Sequence, residues 1–184
     1  NIKRLIAYSS IGHIGYVLAG ISTGTVAGYS SSMTYISIYV IMNLGVFGCI
    51  FLMKKNGEYC EDINDLAGIS KQNPLLAISF LIIMFSLAGI PPLAGFFAKF
   101  YVFMSVIESG MYTLAIVGLL STVISAFYYL RIIKIIYFDE IKNPFDKIIN
   151  FGITSTVFLS CTILVLFFLY PSILNNIVNI LSIN

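Results

Sequence analysis

The stretch Ala88-Gly89-Ile90-Pro91-Pro92-Leu93-Ala94-Gly95 interrupts an apolar run that extends from Pro74 to about Ile107. Two adjacent prolines remove two backbone donors, and the glycines relax the helix on either side. The run is too long for one simple crossing of a bilayer, which takes about 20 helical residues. It makes either two crossings or one crossing with a break. Facing lipid, an opened backbone leaves polar groups unsatisfied, so a break is tolerated only where protein or water surrounds it. Ion-coupled transporters use this arrangement, with the opened backbone lining the ion site. The run is predicted to form two half-helices, about Leu75–Leu87 and Phe96–Ile107, within a broken element spanning about 75–107.

Outward from the break lie four further apolar stretches: about Leu5–Ser22, Met33–Met53, Tyr112–Phe138 and Ile149–Tyr170. The cations choose between the two topologies. With two crossings at the third stretch, positive residues divide almost evenly between the faces. With one broken crossing, Lys3, Arg4, Lys54, Lys55, Lys71, Arg131, Lys134, Lys142 and Lys147 all fall on one side. The positive-inside rule prefers the second arrangement. Lys99 is then left inside the membrane.

Composition agrees with a chain that faces lipid. Of 184 residues, 59% are hydrophobic and 10% charged, with a mean hydropathy of +0.97. A soluble domain is nearer a quarter charged. The runs are continuous rather than alternating, which argues against a membrane β-barrel. The expected fold class is all-α, a polytopic transmembrane helical bundle with one broken helix. The net charge of +2 and the lack of a basic run argue against a nucleic-acid partner. Cys49, Cys60 and Cys161 have no paired spacing and read as small buried hydrophobes. There is no Gly-rich phosphate loop, nucleophile elbow or HExxH, so no cofactor and no metal is expected on this chain. The chain begins with Asn1, and neither a signal nor a transit peptide is legible. It is expected to be part of a longer protein or one product of a split gene. The abundance of Ile, Phe, Tyr, Asn and Lys suggests an AT-rich genome.

The polar residues inside the spans carry the chemistry. Lys99 stands one turn after the break, where a lysine costs about 3 kcal/mol on insertion scales. It is read as a proton carrier tuned by desolvation and neighbours, or as a structural cation bridging the carbonyls freed by the break. His13, with Ser9, Ser10 and Tyr16 at helical spacing, forms a polar stripe on the first span; imidazole titrates near neutral pH. Asn43 is expected to hydrogen-bond between helices. Glu108 ends the broken element on the uncharged side, where it can receive or release protons. Tyr128 and Tyr129, after Ser121 and Ser125, read as interfacial tyrosines. Glu58, Glu61, Asp62 and Asp65 lie in a loop without EF-hand spacing and read as solvated. The final stretch, Ser172–Asn184, reads as an interfacial tail.

Four strings taken in order are specific: NIKRLIAYSSIGHIGYVLAG at 1–20, IYVIMNLGVFG at 38–48, FSLAGIPPLAGFFAKFYVF at 85–103 and SAFYYLRIIKIIYF at 125–138. Together they resemble the NADH dehydrogenase subunit 2 (subunit N) family, the antiporter-like membrane subunits of respiratory complex I. The resemblance implies two inverted helical repeats, each with a broken helix. Residues 1–138 hold most of the second repeat, and 139–184 hold the closing transmembrane helix and tail. The first repeat, with its own buried Glu and Lys, lies on another chain or segment. By motif, Lys99 matches the lysine implicated in proton passage to the outer side, and His13 a position on the central hydrophilic axis. Asn43 lies where related subunits carry a histidine. The implied activity is proton translocation within NADH:ubiquinone reductase. The redox partners NADH, FMN, iron–sulfur clusters and ubiquinone belong to other subunits, and the partners are other membrane-arm subunits and the lipid bilayer. The implied location is the mitochondrial inner membrane with positive loops in the matrix, or a bacterial plasma membrane with those loops in the cytoplasm. Similar residues serve multisubunit sodium/proton antiporters and membrane hydrogenases, and a structural membrane anchor is the remaining alternative.

Overall fold

Capping residues set the first two helices. The Asn1 side chain accepts from the Arg4 amide at the start of α1 (Ile2–Ser22), and the Thr25 hydroxyl accepts from the Gly28 amide at the start of α2 (Val26–Phe51). Such contacts satisfy amides that have no partner within the helix. The computed structural model describes residues 1–55, 57–140, 146, 150–167 and 169. After α2 comes a short antiparallel hairpin, β1 (Lys54–Lys55) with β2 (Glu58–Tyr59), then a 3₁₀ turn at Ile63–Leu66 and the short helix α3 (Ile69–Gln72). Then follow α4 (Pro74–Ala88), α5 (Ala94–Glu108), α6 (Tyr112–Phe138) and α7 (Phe151–Leu166). Ile149, Tyr170, the tail Ser172–Asn184, Lys142 and Lys147 lie outside the described residues.

Among the described residues, three helices, α1, α2 and α6, are long and apolar enough to cross a bilayer. Helices α4 and α5 have 15 residues each, or about 22 Å at 1.5 Å per residue. Neither alone matches a core of about 30 Å. Their ends show how they cross. The Gly68 amide, just before α3, bonds to the carbonyl of Ile135 near the end of α6, at 3.3 Å. At the other end, the Met111 amide bonds to the carbonyl of Val106, at 3.1 Å, in the turn into α6. So α4 and α5 together traverse what α6 traverses alone, as one interrupted crossing.

The same kind of tie fixes the faces. The Ile2 amide bonds to the Glu61 carbonyl at 2.8 Å, joining the start of α1 to the loop after α2. Lys3, Arg4, Lys54, Lys55, Lys71, Arg131 and Lys134 therefore lie toward one end of the bundle. The loop at that end is not merely solvated. Leu66 and Ile69 are fully buried under it, Glu61 takes the Lys3 ammonium at 2.7 Å, and Asp65 takes Lys55 at 3.0 Å. Asp62 caps the 3₁₀ turn by accepting from the Asn64 amide. Three of the four loop carboxylates are thus occupied with pairing and capping, and Glu58 lies in β2.

Helix α2 is the centre of the bundle, packing on α1, α4, α5 and α7. Close approach to α1 is made by Gly20 and Gly28, with the Ser32 hydroxyl donating to the Val17 carbonyl at 2.9 Å. Small residues at such crossings replace the hydrophobic drive that lipid does not supply. Helix α6 is peripheral and presents Ile116, Val117, Leu120, Val123, Ile124 and Phe127 outward. This apolar outer face is what a bilayer solvates.

Candidate functional site

At the break, four carbonyls at the end of α4 find partners outside the helix. The last four carbonyls of an α-helix have no partner within it. In α4 these belong to Phe85, Ser86, Leu87 and Ala88. Gly89, at φ +83°, turns its amide back onto Phe85 and Ser86, both at 3.0 Å, and Ile90 adds a second bond to Phe85 at 2.9 Å. A left-handed residue of this kind is where glycine is favoured. The Pro91–Pro92 peptide that follows is cis. The carbonyls of Leu87 and Ala88 accept from Lys99 Nζ, at 2.9 and 3.0 Å. Across the gap, the Gly95 amide donates to Ser86 Oγ at 3.1 Å. Lys99 is only 7% exposed. Its ammonium stands at the negative end of the α4 dipole, where a cation is favoured. It also lies 5.5 Å from the centre of the Tyr16 ring, within cation–π range.

Tyr16 connects that lysine to a buried histidine. Its ring meets His13 edge-on at 6.1 Å, and its hydroxyl bonds Ser121 at 2.9 Å. His13 is 2% exposed. Its Nδ1 is 2.8 Å from the Tyr35 hydroxyl and its Nε2 is 3.0 Å from the Tyr129 hydroxyl. Tyr129 in turn bonds Ser9. Tyr39 stacks on the imidazole, with centroids 4.6 Å apart and planes 18° apart. An amine, an imidazole and the hydroxyls of Ser9, Tyr16, Tyr35 and Tyr129 thus form one cluster drawn from α1, α2, α5 and α6. These are the side-chain types that accept and release protons or orient their transfer.

The structure gathers Lys99 and His13 into this cluster and leaves Glu108 out of it. Glu108 is exposed at the end of α5, nine residues beyond Lys99, or about 14 Å along the helix. Between the two, Ser105 and Ser31 bond each other at 3.2 Å, and both are buried. One turn along α2 from Ser31, Thr34 Oγ1 is buried with no partner among the described residues. Ser10 is not part of the stripe: its hydroxyl turns back to the Ala7 carbonyl at 2.6 Å. Asn43 does not bridge helices among the described residues. It lines an apolar groove of about 460 Å³ with Ile14, Val40, Phe47 and Ile153. Tyr129, expected at the interface, is fully buried, while its neighbour Tyr128 is half-buried. Tyr35 and Tyr39 had no separate signal in the sequence. Each sits one or two turns from Ser31 and Ser32 on a helix whose polar side was legible only as scattered hydroxyls.

The profile of the family described as NADH:quinone oxidoreductase/Mrp antiporter, TM, matches residues 1–125, which include the break, Lys99 and His13. NADH-quinone oxidoreductase subunit N of Pelagibacter ubique (strain HTCC1062) is 57% identical over 183 residues, covering 100% of this chain and 39% of that protein. A chain of respiratory complex I from Thermus thermophilus with bound aureothin superposes with a TM-score of 0.77 at 28% identity, covering 95% of this chain and 39% of that one. A chain of the Mrp complex from Dietzia sp. DQ12-45-1b superposes with a TM-score of 0.83 at 19% identity, covering 96% and 41%, a likeness of fold. The chain therefore spans about two fifths of the length of the proteins it matches. With its broken crossing and buried lysine, the bundle has the antiporter-like fold, and the chain belongs to the NADH:quinone oxidoreductase/Mrp antiporter transmembrane family.

Proposed function

We propose that this chain is a proton-translocating part of the membrane arm of respiratory complex I, with Lys99 as the group that carries the proton. The observation that carries the reading is the placement of Lys99 at the opened backbone, with the His13 cluster beside it. Residues 1–138 act as most of a second antiporter-like repeat, and 139–184 as the closing helix and tail. The first repeat is supplied by another segment or chain, in keeping with relatives of more than twice this length. Electron transfer from NADH through FMN and iron–sulfur clusters to ubiquinone takes place in partner subunits. Its free energy reaches this chain as an electrostatic or conformational shift along the buried polar groups. The proton then leaves Lys99 toward the face opposite the cations, where Glu108 is exposed, and His13 hands the next one in.

The protein is a membrane protein, and two membranes suit it. The bacterial sources of the curated relatives support a plasma membrane; the residue bias suggests a mitochondrial inner membrane. In either, the cation-bearing face is the cytoplasmic or matrix side.

The test is made on the native complex that contains this chain, purified in mild detergent. NADH-driven reduction of a ubiquinone analogue, with the first repeat found on a companion segment, is expected. Failure to oxidise NADH, with sodium-dependent proton exchange after reconstitution, would instead assign the chain to the antiporter branch of the family.

A further inference from the structure

Both nitrogens of His13 are engaged, with Tyr35 at 2.8 Å and Tyr129 at 3.0 Å, and Tyr129 also bonds Ser9. A neutral imidazole has one N–H and one bare nitrogen. The two tyrosines must therefore play opposite parts. With the proton on Nδ1, His13 donates to Tyr35 and accepts from Tyr129, which accepts from Ser9. With the proton on Nε2, every bond in the row reverses. The row is continuous in both senses without any heavy atom moving.

One end of the row meets a space for water. Ser9 lies four residues before His13 on α1, about 6 Å closer to the cation-bearing face. Ser9 and His13 both line a pocket of about 150 Å³ between α1 and α6, together with Tyr16, Ser121, Ser125 and Tyr128. A held water needs about 10–15 Å³ of such space and two to four polar partners. The pocket is large enough, and Ser9 and its hydroxyl neighbours supply the polar partners on its inner side, while Tyr8 and Ile124 line its outer rim. The other end, Tyr35, packs 5.8 Å from the Tyr16 ring, over which Lys99 stands.

We propose that Tyr129 and Tyr35 are proton-relay residues on either side of His13. The row Ser9–Tyr129–His13–Tyr35 carries protons from water in the α1–α6 pocket to the interior cluster beside Lys99. This rests on the proton-translocating reading given above. A hydronium in the pocket gives a proton to Ser9 Oγ, and the proton of Ser9 passes to Tyr129 Oη. The proton of Tyr129 passes to His13 Nε2, that of Nδ1 to Tyr35 Oη, and that of Tyr35 leaves by way of a bridging water for the neutral amine of Lys99, whose own hydrogen bonds go to Leu87 and Ala88. Each oxygen gains one proton and loses one, and His13 is left as the other tautomer. A second inward proton requires that tautomer to be restored. The ring is held under Tyr39, so the row passes one proton per reset.

The test uses the complete complex containing this chain, reconstituted in proteoliposomes and driven by NADH and a ubiquinone analogue. Tyr129→Phe and Tyr35→Phe keep the rings and remove the hydroxyls. A role in packing alone leaves the proton-to-electron ratio untouched. The relay predicts a fall in that ratio as large as the one caused by Lys99→Met, together with a larger slowing of proton uptake in D₂O. An unchanged ratio in Tyr129→Phe, with a lowered one in Lys99→Met, would overturn the relay and spare the proposed function. An unchanged ratio in all three would overturn the proposed function itself. Where Tyr129→Phe fails to assemble, Ser9→Ala cuts the same link from the other end and is read by the same two outcomes.

Discussion

The Nζ of Lys99 donates a 2.9 Å hydrogen bond to the carbonyl oxygen of Leu87, so a side chain of α5 closes the end of α4. A second bond goes to Ala88 at 3.0 Å. An ammonium has three donors, and these two bonds use two of them. The third proton is the one free to leave, and the neutral amine keeps enough N–H groups for both carbonyls. Bridging the break and carrying a proton are therefore compatible roles for one residue. Lys99→Gln retains two N–H donors and nothing that titrates. It is expected to assemble better than Lys99→Met and to translocate no better. Native gel yield and the proton-to-electron ratio check this.

Gly89 is predicted to resist substitution for two separate reasons. Its φ is +83°, and a Cβ there would come 2.9 Å from Lys99 Cδ and 3.2 Å from Nζ. The backbone term alone costs about 1–2 kcal/mol for an L-residue. The crowding falls on the amine itself, so Gly89→Ala should lower proton translocation along with the thermal midpoint of the complex. A lowered midpoint with full translocation would show that the amine tolerates displacement.

Gly95 and Gly15 make a contrasting pair. A Cβ on Gly95 would run into the backbone carbonyl of Ser86, which cannot step aside, while Gly15 has nothing within 4 Å. Overpacking of this kind costs about 1–3 kcal/mol, whereas alanine in a helix gains up to about 1 kcal/mol over glycine. Gly95→Ala should lower the thermal midpoint of the solubilised complex, and Gly15→Ala should leave it equal or higher.

The loop on the cation-bearing face carries a pH signature. The Lys3 hydrogen bond, helped by Asn1 and by the Lys3 charge, holds the Glu61 carboxyl below its ordinary value of 4.5. A depressed carboxylate contributes stability above its unfolded value and loses it as pH falls through the lower folded value. The pair is exposed, so the contribution is small. It should still be visible in the first turn of α1, whose Ile2 amide bonds the Glu61 carbonyl. Hydrogen exchange there should be faster in Glu61→Gln at neutral pH, with the difference gone in acid below the folded value.

How much of this was legible depended on how local the signal was. The break was readable because two prolines and the glycines around them act on their own backbone. The crossing count was readable because the cations report sidedness without any packing. The stripe of Ser9, His13 and Tyr16 followed from helical spacing, but spacing treats Ser9 and Ser10 alike. What separates them is tertiary: Ser9 finds Tyr129, whereas Ser10 finds its own helix at Ala7. The parts played by Tyr35 and Tyr129 rest on contacts 22 and 116 residues away in sequence. A tyrosine near a span end reads as interfacial until such a contact is seen. Asn43 is the reverse case, a residue whose type suggests a helix bridge but whose position on α2 turns it into an apolar groove.

The measurement that bears most directly on the central claim is the proton-to-electron ratio of the reconstituted complex carrying Lys99→Met. An assembled complex that still reduces quinone from NADH with a lowered ratio is expected. An assembled complex with an unchanged ratio would contradict that claim and leave Lys99 as a structural bridge across the break.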